Sequence, residues 1–204
     1  MSLNQAPIPA LILASKSTAR RAVLDGAGVA YEAASPGVDE DAVKVEMLAA
    51  GAGPAAIAEA LAERKALAVS AVRPGLVIGA DQTLDLDGRL YDKAEDLAAA
   101  GERLALLRGR THRLHSAVVV ARDGAPVWRT LETAVLTMRD FSDEFLDDYL
   151  ATEGTHALGS VGCYRLEGPG AQLFSRIEGD YFSILGLPLL GLLDFLRNEG
   201  VLAA

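Results

Sequence analysis

Apolar and polar positions fall in short blocks along the chain. Ala10-Leu11-Ile12-Leu13-Ala14 suits a buried strand, and the polar Ser15-Lys16-Ser17 that follows reads as a turn. Residues 18–27 predict a helix closed by Gly28, and residues 29–34 a second strand ended by Ser35-Pro36-Gly37. Two helices are predicted over 41–50 and 54–72, with Pro54 in the first turn of the second. Leu76-Val77-Ile78-Gly79-Ala80 is a buried strand by length and flanks, and it delivers Asp81 at its carboxyl end. Leu84-Asp85-Leu86 and Arg89-Leu90-Tyr91 flank Asp87-Gly88, a hairpin signal.

Further along, residues 96–107 predict a helix with Gly109 just past its end. Residues 111–139 alternate like two long strands joined at Asp123-Gly124. Ser142 caps a helix running to about residue 150, where Asp143 and Glu144 suit the positive end. Residues 158–184 are Gly-rich and strand-like, and residues 187–198 predict a closing helix. Strands and helices mix without a strict rhythm, so the expected class is α/β with a mixed, partly antiparallel sheet. Neither a repeat nor a linker interrupts the 204 residues, which fit one large domain or two closely packed lobes.

Half of the chain is apolar, enough for a sizeable core without staples. A formal net charge of -9 argues against a nucleic-acid partner, which needs a basic face. It is compatible with a small polyanion held by a few placed cations and a metal. The single cysteine, Cys163, permits no intramolecular disulfide and suits a reducing, cytoplasmic setting. Residues 1–9 lack the features of a signal peptide, and no apolar stretch reaches the ~20 residues that span a bilayer. A soluble protein without a membrane partner is expected.

Three groups of residues offer chemistry. Ser15-Lys16-Ser17-Thr18-Ala19-Arg20-Arg21 lies between a strand and a helix, where free N–H groups, hydroxyls and guanidinium groups bind anions; an ordinary N-cap with solvated basic residues fits equally well. Asp81, beyond an apolar strand, can hold a metal or take a proton from water, or simply form a turn. Asp39-Glu40 can bind a hard cation, and Lys65 and Lys93 can neutralise phosphate, although each is ordinary surface chemistry taken singly. Other signals are weaker. Gly51-Ala52-Gly53-Pro54 follows a helix and reads as a break between helices; Asp85 and Asp87 belong to a hairpin; His112 and His115 point to opposite faces of one strand; Cys163 reads as a packed small residue.

Taken in order, these blocks resemble the Maf family of nucleoside triphosphate pyrophosphatases. Leu13-Ala14-Ser15-Lys16-Ser17-Thr18-Ala19-Arg20-Arg21 is similar to the family's opening motif. Asp39-Glu40, Lys65-Ala66, Gly79-Ala80-Asp81-Gln82 and Lys93 follow, then Glu167-Gly168, Ile177-Glu178-Gly179-Asp180 and Gly186-Leu187-Pro188-Leu189. The resemblance implies a two-lobed Maf/ITPase-like fold with a cleft between lobes, a homodimer, and a divalent metal such as magnesium or manganese. The implied reaction is hydrolysis of a standard or modified nucleoside triphosphate to monophosphate and pyrophosphate, a house-cleaning activity. Asp81 would be the general base or position the water, with Lys65 and Lys93 in the catalytic set; Glu40 and Asp81 would hold the metal; Ser17, Arg20 and Arg21 would bind phosphates. Ala19, Gln82 and Glu167 would set the base. The segment Gly159-Ser160-Val161-Gly162-Cys163-Tyr164-Arg165-Leu166-Glu167-Gly168 lacks the acid–lysine pair of the dTTP/UTP branch and is more similar to the 7-methyl-GTP branch, although Ala19 departs from the aromatic residue usual there. A carboxylate at Glu167 can accept two bonds from guanine. The alternative is a non-catalytic nucleotide-binding regulator linked to cell division and septum formation.

Overall fold

The computed structural model describes residues 10–203, so the reading of residues 1–9 lies outside the described residues. The seven described strands form one mixed sheet. β1 (Leu11–Ala14) is parallel to β2 (Glu32–Ala34) and β3 (Leu76–Leu86). Antiparallel pairing carries the sheet on from β3 to β5 (Thr111–Arg122), β6 (Ala125–Met138) and β7 (Phe174–Glu178), while β4 (Arg89–Tyr91) folds back on β3. The expected mixed α/β sheet is present. Both hairpin turns have positive φ at both central residues, 54° and 80° at Asp87-Gly88 and 52° and 75° at Asp123-Gly124, the twist that two-residue hairpins favour.

The helices are α1 (Thr18–Gly26), α2 (Glu40–Ala49), α3 (Pro54–Ser70), α4 (Leu97–Leu107), α5 (Asp143–Glu153), α6 (Tyr181–Ile184) and α7 (Leu189–Asn198). Ser17, Asp39, Asp96, Ser142 and Asp180 cap α1, α2, α4, α5 and α6 by accepting a backbone N–H. Their starts are thus fixed locally, before any tertiary contact.

Three expectations need correction. Residues 158–184 are not mainly strand: two short 3-10 turns, Gly154–Gly159 and Pro169–Leu173, precede β7 and α6. Side-chain bonds to the backbone hold this region together. Ser160 Oγ accepts from Tyr164 N and donates to Tyr164 O at 3.0 and 2.7 Å, and Gly170 lies directly against the Arg165 backbone. Nor does Asp81 end a strand. It sits inside the eleven-residue β3, because β5 continues pairing through Asp85. The predicted second strand is also shorter, beginning at Glu32.

Pairing along β3 explains where an opening forms. On one edge β1 pairs only as far as Gly79, and β4 resumes pairing at Leu84. Ala80–Thr83 therefore have β5 on one side and no strand on the other. Two large apolar clusters lie on either side of this gap. One joins β1, α1, the first half of β3 and α7; the other joins the end of β3 to α4, α5 and the 3-10 region. Burying each Leu or Ile in them contributes about 1.5–3 kcal/mol.

On the other face, α3 lies unusually close to β3. A Cβ at Gly79 would stand 2.2 Å from the Ala62 carbonyl oxygen and 2.5 Å from Ala66 N. Ala58, Ala62 and Ala66 turn a small-residue face to the sheet, packed with Ala117, Val119 and Ala121. That approach sets Lys65 of α3 against Asp81, two residues beyond the glycine.

Candidate active site

A hollow of about 1050 Å³ opens at the gap in the β3 edge. Its walls come from the Ser15–Ser17 turn and α1, the start of α2, α3, the middle of β3, the segment after β4 and the 155–167 loops. At its floor, Lys65 Nζ is 2.6 Å from Asp81 Oδ1 and 2.9 Å from Glu40 Oε1. The Lys65 side chain is 6% exposed and Asp81 9%, whereas Glu40 is 44% exposed, so the first pair is sealed by protein and Glu40 reaches the open side. Two carboxylates hold one buried ammonium in place. The contact leaves Asp81 Oδ2 without a direct bond to Lys65.

Arg20 approaches from α1. Its Nε donates to Gly186 O at 2.9 Å and its Nη1 to Ser15 Oγ at 3.3 Å. Burial lowers the Arg20 pKa from its ordinary value, against the opposing pull of Asp81 and Glu40. Lys93 lines the hollow within reach of the same charges. Burial and the like charge of Arg20 lower its pKa, opposed by Glu40 and Asp81, with Lys65 adding a smaller repulsion. Three cations, Arg20, Lys65 and Lys93, gather around two carboxylates, Asp81 and Glu40. This end of the hollow is suited to a multiply charged anion.

Most residues singled out from the sequence converge here. Ser17, Ala19, Arg20, Glu40, Lys65, Asp81, Gln82, Lys93 and Glu167 all line the hollow. Arg21 does not; its guanidinium donates to Ser15 O at 3.2 Å and thereby braces the turn. Asp39 separates from Glu40, because its carboxylate caps α2. Gln82 reaches the hollow with its amide nitrogen already engaged, 2.9 Å from Ser116 Oγ and 3.0 Å from both Ser183 O and Ile184 O. Sequence reasoning missed the roles of Ser15 Oγ and Gly186 O, both inside recognised blocks, as well as the ion pair between Glu153 and Arg165.

The weaker signals resolve as structural. Asp85 Oδ1 accepts from Gly88 N at 2.7 Å, closing the hairpin, and Asp85 Oδ2 lies 3.2 Å from His115 Nε2. His112 faces elsewhere, with its Nε2 2.7 Å from Tyr164 Oη. Cys163 is buried, and that burial raises its thiol pKa, the opposite of a nucleophile's requirement. Among the described residues no group of three or more His, Cys, Asp or Glu could hold a metal by itself, and no helix is long and apolar enough to cross a membrane.

An α/β sheet with a gap in one strand edge, lined by fixed cations and two paired carboxylates, is suited to a compact polyanion. The chain belongs to the Maf-like protein family, whose model matches residues 10–199. It is 64% identical to a nucleoside triphosphate pyrophosphatase of Caulobacter vibrioides over 190 residues, 93% of this chain and 96% of the relative. A nucleoside triphosphate pyrophosphatase of Granulibacter bethesdensis is 55% identical over 94% and 98% of the two chains. A 7-methyl-GTP pyrophosphatase of Rhizobium meliloti is 52% identical over 96% of this chain and 99% of its own length.

Proposed function

We propose that this hollow is where the chain, a nucleoside triphosphate pyrophosphatase, directs water at the α-phosphorus of its substrate. The observation that carries the reading is the Lys65 ammonium clamped between Asp81 and Glu40 in a hollow that Arg20 and Lys93 also line. The nucleoside triphosphate pyrophosphatase names of the Caulobacter and Granulibacter relatives support it.

The residues divide the work by charge. Lys65 fixes Asp81 Oδ1 at 2.6 Å, so Oδ2 is the oxygen available to orient a water and accept its proton. The water oxygen forms a bond to the α-phosphorus as the bond from that phosphorus to the bridging oxygen breaks. The electron pair of that bond leaves with pyrophosphate. Arg20 and Lys93 offset the charge growing on the leaving group, and Ser17 with the start of α1 offers hydroxyl and N–H donors to the phosphates. Because the Arg20 guanidinium is held at two points, it needs no rearrangement during the step.

A divalent cation fits the donor set. Glu40 and Asp81 offer hard carboxylate oxygens, and ions such as magnesium take one or two of these with phosphate oxygens and water making up the rest. Bound there, the cation would acidify water and shield phosphate charge. For the base, Glu167 at the far wall favours a guanine-type ring, in keeping with the 7-methyl-GTP pyrophosphatase name of the Rhizobium relative.

The deciding experiment is Asp81→Asn with a nucleotide panel and magnesium or manganese, following pyrophosphate release. Turnover falls on the order of 1000-fold, the scale of losing a preorganised electrostatic group, while nucleotide binding by calorimetry persists. Wild-type turnover in that variant would remove Asp81 from the reaction. Tight binding with no cleavage by the unaltered protein would favour the regulator reading.

A further inference from the structure

The 155–167 loops hold an ion pair separate from the Lys65 group. Arg165 Nε and Nη2 donate to Glu153 Oε2 and Oε1 at 2.8 and 3.0 Å, a two-point fork. The Glu153 side chain is 2% exposed and that of Arg165 35%, so a buried acid anchors the guanidinium of a residue that lines the hollow. Its backbone is equally fixed. A Cβ at Gly170 would stand 2.4 Å from Arg165 O and 2.8 Å from Arg165 N, and Gly168 N donates back to Arg165 O at 3.3 Å. That last bond closes a turn carrying both Arg165 and Glu167, and both line the hollow. Hydrogen bonding to Glu153 raises the Arg165 pKa, and the charge of Glu167 adds to the effect.

We propose that Arg165, oriented by Glu153, is a specificity-determining residue that pairs with Glu167 to read the keto edge of the base. The inference rests on the pyrophosphatase reading for its substrate class and extends it to the kind of base. Arg165 Nη1, the nitrogen the fork leaves unused, is a pure donor, and Glu167 is an acceptor when ionised. A donor beside an acceptor matches a carbonyl beside a ring N–H. Guanine, hypoxanthine, uracil and thymine present that pattern. Adenine and cytosine present the reverse, an amino group beside a bare nitrogen, and would set donor against donor and acceptor against acceptor. Guanine adds an amino group for the second oxygen of Glu167. Glu153 is therefore a positioning residue: it spends one edge of the guanidinium so that the other has a single orientation.

The test compares kcat/KM for GTP against ATP and for UTP against CTP. The unaltered protein favours the keto member of each pair by about tenfold or more, the worth of one charge-assisted hydrogen bond. Arg165→Lys keeps the charge and loses the fork; it narrows both ratios to about threefold or less, mainly through KM, with kcat little changed. The double variant Glu153→Gln with Arg165→Met removes the pair without stranding a buried charge, and behaves the same way. Variants that keep the unaltered ratios, or that lose all four nucleotides equally as a phosphate ligand would, overturn the proposal. Equilibrium binding of GMP and AMP to the same proteins reads the base preference without turnover. If the unaltered protein cleaves no triphosphate, the reaction reading fails, and that binding ratio alone decides the role of Arg165.

Discussion

The two ends of the hollow are built by different means. At the end proposed for the phosphates, the side chains project from regular elements. Lys65 comes from α3, Asp81 from β3, Arg20 from α1 and Glu40 from the first turn of α2, and Lys65 pairs with both carboxylates. At the end proposed for the base, the side chains stand on irregular turns that hydroxyls, glycines and the Glu153–Arg165 fork hold in shape. The comparison separates two needs. Chemistry on a phosphorus requires cations and carboxylates fixed to fractions of an ångström, which a sheet and an Ala-faced helix provide. Recognising a base requires a shape that can differ between relatives without disturbing the reaction, which a loop provides.

The largest effect is expected from breaking the phosphate end at its centre. Lys65→Met removes the ammonium between Asp81 and Glu40 and leaves Asp81 buried without its partner. Loss of one member of such a pair costs roughly 3–5 kcal/mol, so urea unfolding shifts strongly and turnover falls with it. A stability near that of the unaltered protein would mean that Asp81 has another partner.

A smaller effect separates the ends by pH. His112 anchors Tyr164 in the base-end loop, and burial lowers its pKa from 6.5 to about 4. The unfolded chain therefore takes up a proton below pH 6.5 that the folded protein refuses until about pH 4. Stability is unaffected above this window and declines through it as pH falls. By pH 5 the loss is roughly 2 kcal/mol. Urea unfolding at pH 7 and pH 5 measures it, and His112→Gln flattens the difference. An equally steep decline in that variant would assign the effect to carboxylates elsewhere.

Much of this architecture is legible in the sequence. The apolar runs, cap residues and Asp-Gly turns locate the helices and hairpins because each is a local preference. The phosphate end is legible through its blocks, since Ser17, Arg20, Glu40, Lys65, Asp81 and Lys93 do meet at one hollow. Three features escape. The apolar run stops at Ala80, yet pairing with β5 through Asp85 and with β4 at Leu86 carries β3 on, so Asp81 reads as a strand end when it lies within the strand. Periodicity is silent about residues 154–173, where order comes from contacts such as Ser160 with Tyr164 rather than from a repeating pattern. Arg21 shares every sequence property of Arg20, and only the direction of its side chain sends it to Ser15 O instead of the hollow.

The central claim is that Asp81 aims water at the α-phosphorus, and isotope placement tests it most directly. A single turnover in water enriched in oxygen-18 is predicted to put the label in the nucleoside monophosphate and leave the pyrophosphate unlabelled. Label in the pyrophosphate would mean attack at the β-phosphorus, and the geometry assigned to Asp81, Arg20 and Lys93 would be wrong.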